Sequence, residues 1–251
     1  MTEAMQAEFD TVAEWTAQVA ADLGPDYHVP AGCRGSGSPA ALDWLVEHME
    51  IGSGATFLDC GAGVGGPAAY AAQRQELRPV LVEPEAGACR AAKRLFGYPV
   101  MQAVGSKLPL AEASCDAAWS LGVLCTTPDQ LALLAELHRT VRRGGRIGLL
   151  AFVAHRELPD DQLEGNNFPT PDRLRQLVHE SELHVEHWLR TAELPAIPAE
   201  WNERMDAVTD ELTRRHGHTE AWQLAERQSS RIGQLLEDGT LTGELLVLRH
   251  A

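Results

Sequence analysis

Basic residues are scarce in this sequence of 251 residues. Lysine and arginine total 21 against 36 aspartates and glutamates, so the formal net charge at pH 7 is −15. A chain this acidic has few cations with which to neutralise phosphates, and it has no basic face for anionic lipid. We therefore expect neither a nucleic acid nor a membrane surface as its partner.

Long apolar runs and paired cysteines are also missing. No stretch approaches the roughly eighteen uninterrupted apolar residues of a membrane-spanning helix. The opening residues, MTEAMQAEFD, lack the positive and apolar regions of a secretory signal. The five cysteines are scattered without Cys-x-x-Cys spacing, which argues against a disulfide framework and against a bound metal. Reduced thiols without a signal predict a cytoplasmic protein.

The composition that remains is that of an ordinary globular protein, with 44% hydrophobic and 23% charged residues. Its length suits one large domain. Short apolar runs then alternate with segments of helical periodicity. They predict strands at 56–60, 79–83, 117–121 and 146–153, and helices at 64–75, 84–96 and 128–141. Buried strands that alternate with helices predict a parallel sheet covered on both faces.

The segment before this alternating region has its own pattern. Apolar residues at helical spacing predict a helix over 3–23, and a loop rich in glycine and serine follows at 31–38. Ser38 and Pro39 are the residue types of a helix N-cap and first turn. We therefore expect residues 1–38 to form an N-terminal helix and a lid.

The regular alternation of predicted strands and helices ends after residue 153. The pattern there predicts a helix near 170–181, a strand near 183–190, amphipathic helices at 198–215 and 220–237, and a last strand at 243–250. The two amphipathic helices resemble an insertion, 195–240, between the last two strands. Residues 39–251 would thus form the main domain, with this insertion inside it.

The most informative stretch is FLDCGAGVGG at 57–66. A predicted strand runs into a turn with four glycines, and the turn opens a helix. Glycine lets the backbone approach a ligand closely, and a helix N-terminus presents free amides. Glu83 ends the next predicted strand, where a carboxylate can accept both hydroxyls of a ribose. The alternative is a tight turn that needs glycine only for its geometry.

The sequence around this stretch resembles the class I S-adenosylmethionine-dependent methyltransferases, within the broad group of small-molecule and quinone methyltransferases. The glycine segment is similar to the LDxGxGxG motif of that family, with Asp59 as the motif acid. VEPEAG at 82–87 is similar to the second motif. Further similarity lies in the segments of the fourth strand, the fifth strand and the helix beyond it, at 108–124, 142–150 and 168–178.

The resemblance implies an α/β fold, a seven-stranded doubly wound (Rossmann-like) methyltransferase sheet with an N-terminal helical lid and a helical insertion before the last strand. It implies S-adenosylmethionine as the cofactor, with Glu83 as ribose ligand and Pro84 beside the adenine. The acid that often contacts adenine is absent here, so backbone groups or the Ser106 hydroxyl would replace it. The implied cofactor-binding residues are Tyr27, Asp59, Gly61, Gly63, Gly65, Glu83, Pro84, Val104, Gly105, Ser106 and Ser120.

The glycine segment also matches the fingerprint of NAD-binding proteins, and Asp59 is the residue that favours S-adenosylmethionine over NAD. A carboxylate at the strand end would repel the pyrophosphate of a dinucleotide. S-adenosylmethionine carries an ammonium and a sulfonium and no phosphate. An NAD-dependent oxidoreductase and a non-catalytic cofactor-binding module remain the alternatives from other classes.

The acceptor side of the sequence is rich in polar residues. A hydroxyl acceptor benefits from a general base, and His155 and His28 are the candidates. The candidate acceptor-binding residues are Glu164, Asn166, Asn167 and Trp201. We therefore expect O-methylation of a small polar, sugar-like acceptor. N- or C-methylation of a natural product or quinone stays open, as does assembly into a homodimer.

Overall fold

The computed structural model describes residues 7–158 and 165–250; for Ala7 and Glu8 it describes the backbone alone. One sheet runs through this part of the chain. Its strands are β1 (Thr56–Cys60), β2 (Arg78–Glu83), β3 (Val100–Gln102), β4 (Ala117–Leu121), β5 (Arg146–Ala154), β6 (Leu183–Arg190) and β7 (Leu241–His250).

Helices cover both faces of this sheet. They are α1 (Ala13–Leu23), α2 (His28–Gly32), α3 (Pro39–Met49), α4 (Gly66–Arg74), α5 (Ala86–Phe96), α6 (Gln130–Thr140), α7 (Pro171–Glu180), α8 (Ala199–His216) and α9 (Glu220–Glu237). A π-helical turn, Ala7–Val12, precedes α1. Short 3-10 turns lie at Pro25–Tyr27, Leu124–Thr126 and Thr191–Glu193.

The strand order is β3-β2-β1-β4-β5-β7-β6, with β7 antiparallel to both of its neighbours and the other pairs parallel. The winding direction therefore reverses between β1 and β4. In open α/β sheets this reversal leaves a crevice beyond the carboxyl ends of the strands, where ligands bind. The order confirms the doubly wound α/β fold expected from the sequence.

The core lies on both faces of the sheet, as continuous apolar strands require. Along β7, Leu246 and Leu248 pack into one cluster, against α6 and α7. Leu245 and Val247 point to the opposite face, which α3 and α4 cover. Trp119 of β4 is fully buried in this second cluster. The buried core thus extends up to the carboxyl ends of β1 and β4.

Three local features differ from the sequence expectations. β3 was not located, because its three residues form a short edge strand and are only partly buried. The antiparallel direction of β7 was not anticipated. The loop expected at 31–38 begins two residues later, since Ala31 and Gly32 complete α2. Glycine is required at 32 because a Cβ there would lie 2.7 Å from the Cα of Gly66.

The N-terminal helices and the insertion helices pack against each other. Val19 of α1, Leu212 of α8 and Trp222 of α9 share one hydrophobic cluster. The ring of Trp15 stacks on that of His216 with centroids 3.9 Å apart. We call α1, α2, α8 and α9 together the cap. The proposed division at residue 38 remains a prediction.

Neither the cap helices nor any other helix within 7–158 and 165–250 combines the length and apolar character of a membrane span.

Candidate functional site

The glycine turn between β1 and α4 has the backbone geometry that its sequence suggests. Gly61, Gly63 and Gly65 have φ values of +75°, +52° and +88°, in the left-handed region. A Cβ on Gly61 would overlap the side chain of Val123, whereas a Cβ on Gly63 would meet nothing within 4 Å. The turn is therefore packed tightly on the β4 side and open at Gly63.

Glu83 is fixed at the end of β2 by the turn itself. Its Oε2 accepts a hydrogen bond of 2.9 Å from the Gly63 amide, and its Oε1 accepts one of 3.0 Å from the Glu85 amide. The residue is only 5% exposed. Burial raises the pKa of Glu83 to about 7 although both amides favour the ionised form. Each oxygen keeps a second lone pair with which to accept a hydroxyl.

Asp59 is the second buried acid of the site. It is 2% exposed, and its Oδ2 has no hydrogen-bond partner within the described part of the chain. Burial raises the pKa of Asp59 to about 7, and the negative charge of Glu83 adds to the increase. A buried carboxylate with one oxygen unpaired is costly, so the site is suited to a ligand that brings positive charge or hydrogen-bond donors.

S-adenosylmethionine fits this pair of buried carboxylates. Its ammonium matches the unpaired oxygen of Asp59, and its ribose hydroxyls match the free lone pairs of Glu83. It carries no phosphate for Asp59 to repel. The open space at Gly63 leaves the backbone accessible to a ligand.

The other expected cofactor-binding residues also lie near the carboxyl edge of the sheet. Ser120 is buried, and its hydroxyl donates a 3.0 Å hydrogen bond to the carbonyl of Cys60, which links the ends of β4 and β1. The carbonyl of Pro84 accepts a hydrogen bond from Gln102. A Cβ on Gly105 would lie 3.0 Å from the Sγ of Cys60.

Val104 and Ser106 flank Gly105 in the turn after β3. Val104 is 53% exposed, and Ser106 is partly buried. Their contacts with a cofactor remain predictions, as do those of the residues described above.

Tyr27 and His28 lie at the start of the cap. Tyr27 is packed against the hydrophobic cluster that α1, α8 and α9 share. The ring of His28 meets the edge of Phe96, the last residue of α5, with centroids 6.4 Å apart. These packing contacts give both side chains a structural role, and their cofactor-binding and catalytic roles stay predictions.

His155 directly follows β5 and turns towards β7. Its Nε2 lies 2.9 Å from the Thr242 hydroxyl and 3.4 Å from Oε1 of Glu244. Glu244 is 3% exposed and accepts a 2.7 Å hydrogen bond from the indole of Trp188. Together with Arg190, the side chains of His155, Glu244 and Trp188 line a cavity of about 250 Å³. The imidazole is thus oriented by a buried carboxylate, on the opposite side of β5 from β4.

The expected acceptor-binding residues that the structure describes contact different elements. The backbone N–H of Asn167 donates a 2.6 Å hydrogen bond to the carbonyl of Cys125, just beyond β4. Asn166, the preceding residue, is partly buried. Trp201 is partly buried and meets the ring of Tyr70 edge-on at 6.0 Å. Glu164 lies outside the described residues.

Sequence reasoning missed two charged residues that the fold brings into prominent positions. Glu244 occurs as a single acid within the apolar segment GELLVLRH, and that isolation was the available signal. Arg34 is a lone cation in the loop GCRGSGS, and one of its guanidinium nitrogens is buried without a partner among the described residues. Both features depend on strands and helices that are distant in sequence.

Comparison with known proteins gives a consistent result. Residues 58–149 match the family described as a methyltransferase domain. Methyltransferase GfsG of Streptomyces halstedii is 26% identical over 123 residues, 46% of this chain and 44% of that protein. The chain spans about half the length of the curated relatives it matches.

Solved structures share the fold at low identity. The (4+2)-cyclase SpnF has a TM-score of 0.67 at 18% identity, with 84% of this chain and 80% of that chain covered. Phosphoethanolamine N-methyltransferase 2 of Haemonchus contortus, solved with phosphomonomethylethanolamine and S-adenosylhomocysteine, has a TM-score of 0.68 at 16% identity. That match covers 83% of this chain and 52% of the other.

Proposed function

Because residues 58–149 carry the methyltransferase domain of the class I S-adenosylmethionine-dependent family, we propose that this chain transfers a methyl group from S-adenosylmethionine to a small molecule. The observation that carries the proposal is the pair of buried carboxylates, Asp59 and Glu83, beside a glycine turn that is open at Gly63. Buried acids that lack a countercharge favour a cationic ligand over a phosphate-bearing one.

S-adenosylmethionine, the cofactor of this domain, supplies an electrophilic methyl group on a sulfonium. The part played by the chain is to bind and orient. Glu83 accepts the ribose hydroxyls while the Gly63 and Glu85 amides hold its carboxylate in place. Asp59 offers its unpartnered oxygen to the cationic end. Positioning of this kind can supply several kcal/mol of a transfer barrier, roughly 7–11 in the best-oriented cases.

The acceptor atom that we propose is a hydroxyl oxygen of a small polar, sugar-like molecule. A hydroxyl must lose its proton as its oxygen attacks the methyl carbon, and an imidazole can take that proton. His155 is the base that we assign, because Thr242 and Glu244 orient its ring. Its orientation requires the hydroxyl to approach from the β7 side of β5.

Transfer of labelled methyl from S-adenosylmethionine to fractionated metabolites tests both claims, that the chain is a methyltransferase and that the acceptor atom is a hydroxyl oxygen. The account predicts label in at least one small-molecule fraction, attached as an ether. Label attached to nitrogen or carbon would retain the methyltransferase and reject the hydroxyl acceptor. A chain that binds S-adenosylhomocysteine yet labels no fraction would instead be a non-catalytic module or, like SpnF, a cyclase on this fold.

A further inference from the structure

Arg34 occupies a segment that bridges the ends of two central strands. Just before it, Gly32 packs so closely on Gly66, the first residue of α4, that a Cβ would not fit. Just after it, the carbonyl oxygen of Gly35 approaches Gly122, which follows β4, where an added Cβ would lie 3.0 Å away. Arg34 therefore lies over the gap between the turn after β1 and the end of β4, at the crevice of the sheet.

The guanidinium of Arg34 is only partly satisfied. Its Nη2 donates a 3.2 Å hydrogen bond to Oε1 of Glu226, and its Cζ lies 5.1 Å from the ring centroid of Trp222. Its Nη1 is buried and finds no partner within 7–158 and 165–250. Leaving a donor of a buried charged group unpaired costs on the order of 1–3 kcal/mol or more. The free nitrogen is therefore suited to an anionic group of a ligand.

Asp59, the acid at the end of β1, lies close to the segment that carries Arg34. Cys33, the neighbour of Arg34 in the chain, is close enough to Asp59 that the carboxylate charge adds to the effect of burial in raising the pKa of the Cys33 thiol. The Arg34 segment, with its unpaired donor, packs on the turn that follows β1, and Asp59, with its unpaired acceptor, lies at the end of that strand. That arrangement matches the two charges of an amino-acid zwitterion.

We propose that Arg34 binds the carboxylate of the amino-acid end of S-adenosylmethionine, opposite Asp59, which faces the ammonium. This inference rests on the proposed function and adds a residue to its site. Tyr27, the cofactor-binding residue expected from the sequence in this part of the chain, is packed against the cap cluster. Because Arg34 is also tied to Glu226 of α9, cofactor binding and the position of the cap are linked through one side chain.

Calorimetric titration with two ligands isolates this contact. S-adenosylhomocysteine has the amino-acid end, and 5′-methylthioadenosine has the same nucleoside and thioether sulfur without it. Arg34→Gln should weaken binding of S-adenosylhomocysteine by roughly 10- to 100-fold, the range for a lost hydrogen bond between charged groups. Binding of 5′-methylthioadenosine should change by less than about twofold, since it makes no contact with Arg34. Arg34→Lys, which keeps the charge, should fall between.

Arg215→Gln is the matched control, because Arg215 of α8 makes an ion pair of 2.5 Å with Asp22 of α1 and thus loses a tie within the cap. It should leave the affinities for both ligands unchanged. The inference is overturned if Arg34→Gln weakens both ligands equally, as a purely structural tie would, or weakens neither. If the unaltered chain binds neither ligand, the proposed function itself fails, so the two failures are distinguishable.

Discussion

Asp59→Asn removes one negative charge from the site while it preserves the shape of the side chain. The carboxyl has a pKa of about 7 in the folded chain against an ordinary value of 3.8. The folded state therefore holds an extra proton between about pH 4 and pH 7, and stability falls as the pH rises through that window. Above about pH 7 the folded chain carries the full cost of the buried charge.

The size of this cost follows from the shift. Three pKa units correspond to about 4 kcal/mol at 1.4 kcal/mol per unit. The asparagine amide brings a new buried donor that costs about 1–3 kcal/mol when unpaired. The net gain at pH 8 is then about 1–3 kcal/mol, or a rise in Tm of about 2–10 °C for a chain of this length. At pH 5 Asp59 is already protonated, so the substitution should give no gain.

Thermal unfolding of the ligand-free chain at the two pH values is the assay. The same variant should bind S-adenosylhomocysteine at least about tenfold more weakly at pH 8, since the countercharge for the ammonium is gone. A variant that loses the same stability at pH 5 and at pH 8 would refute the reasoning, because it would mean that the Asp59 carboxylate is not a buried uncompensated charge in the folded chain.

Three further predictions concern other parts of the site. Glu83→Gln should weaken S-adenosylhomocysteine and 5′-methylthioadenosine alike, by about tenfold or more in calorimetry, because both share the ribose; loss for one ligand alone would contradict the assignment. Gly61→Ala should lower the free energy of unfolding in urea by more than about 2 kcal/mol, and Gly63→Ala by about 1, because only the first overlaps a neighbour; equal losses would contradict the packing. His155→Ala should slow methyl transfer by about 10²–10⁴ with unchanged S-adenosylhomocysteine affinity, and Glu244→Gln should share much of that loss; turnover within about threefold of the parent would exclude the base.

The central strands could be predicted from the sequence because each carries a continuous apolar run. β1 and β4 were predicted with the bounds that the structure has, and α9 likewise. The Ser38 N-cap is confirmed as well, since its hydroxyl accepts the Ala41 amide. In each case the signal is local: a hydrophobic pattern or a capping residue next to its helix.

The features that escaped prediction depend on contacts between distant segments. Val100–Gln102 becomes a strand only because β2 offers it an edge to pair with. The role of Glu244 as partner of His155 requires β5 and β7 to lie side by side. Arg34 is distinguished by a buried nitrogen, and the burial arises only when α9 covers the loop. Pattern reasoning within a short window has no access to such pairings.

The candidate site divides in the same way. The glycine turn and Glu83 were identified from spacing, and Asp59 from the resemblance to the family motif; the structure brings the two acids together. The acceptor residues were chosen by type and position near strand ends, and their roles stay predictions. Trp201 meets Tyr70 edge-on, and His155 faces β7.

Titration of the chain with S-adenosylhomocysteine at pH 8, alongside NADH, tests the central claim most directly. The account predicts saturable heat from S-adenosylhomocysteine at one site per chain and none from NADH, because the buried carboxylate of Asp59 repels a pyrophosphate. Saturable binding of NADH with no heat from S-adenosylhomocysteine would contradict it.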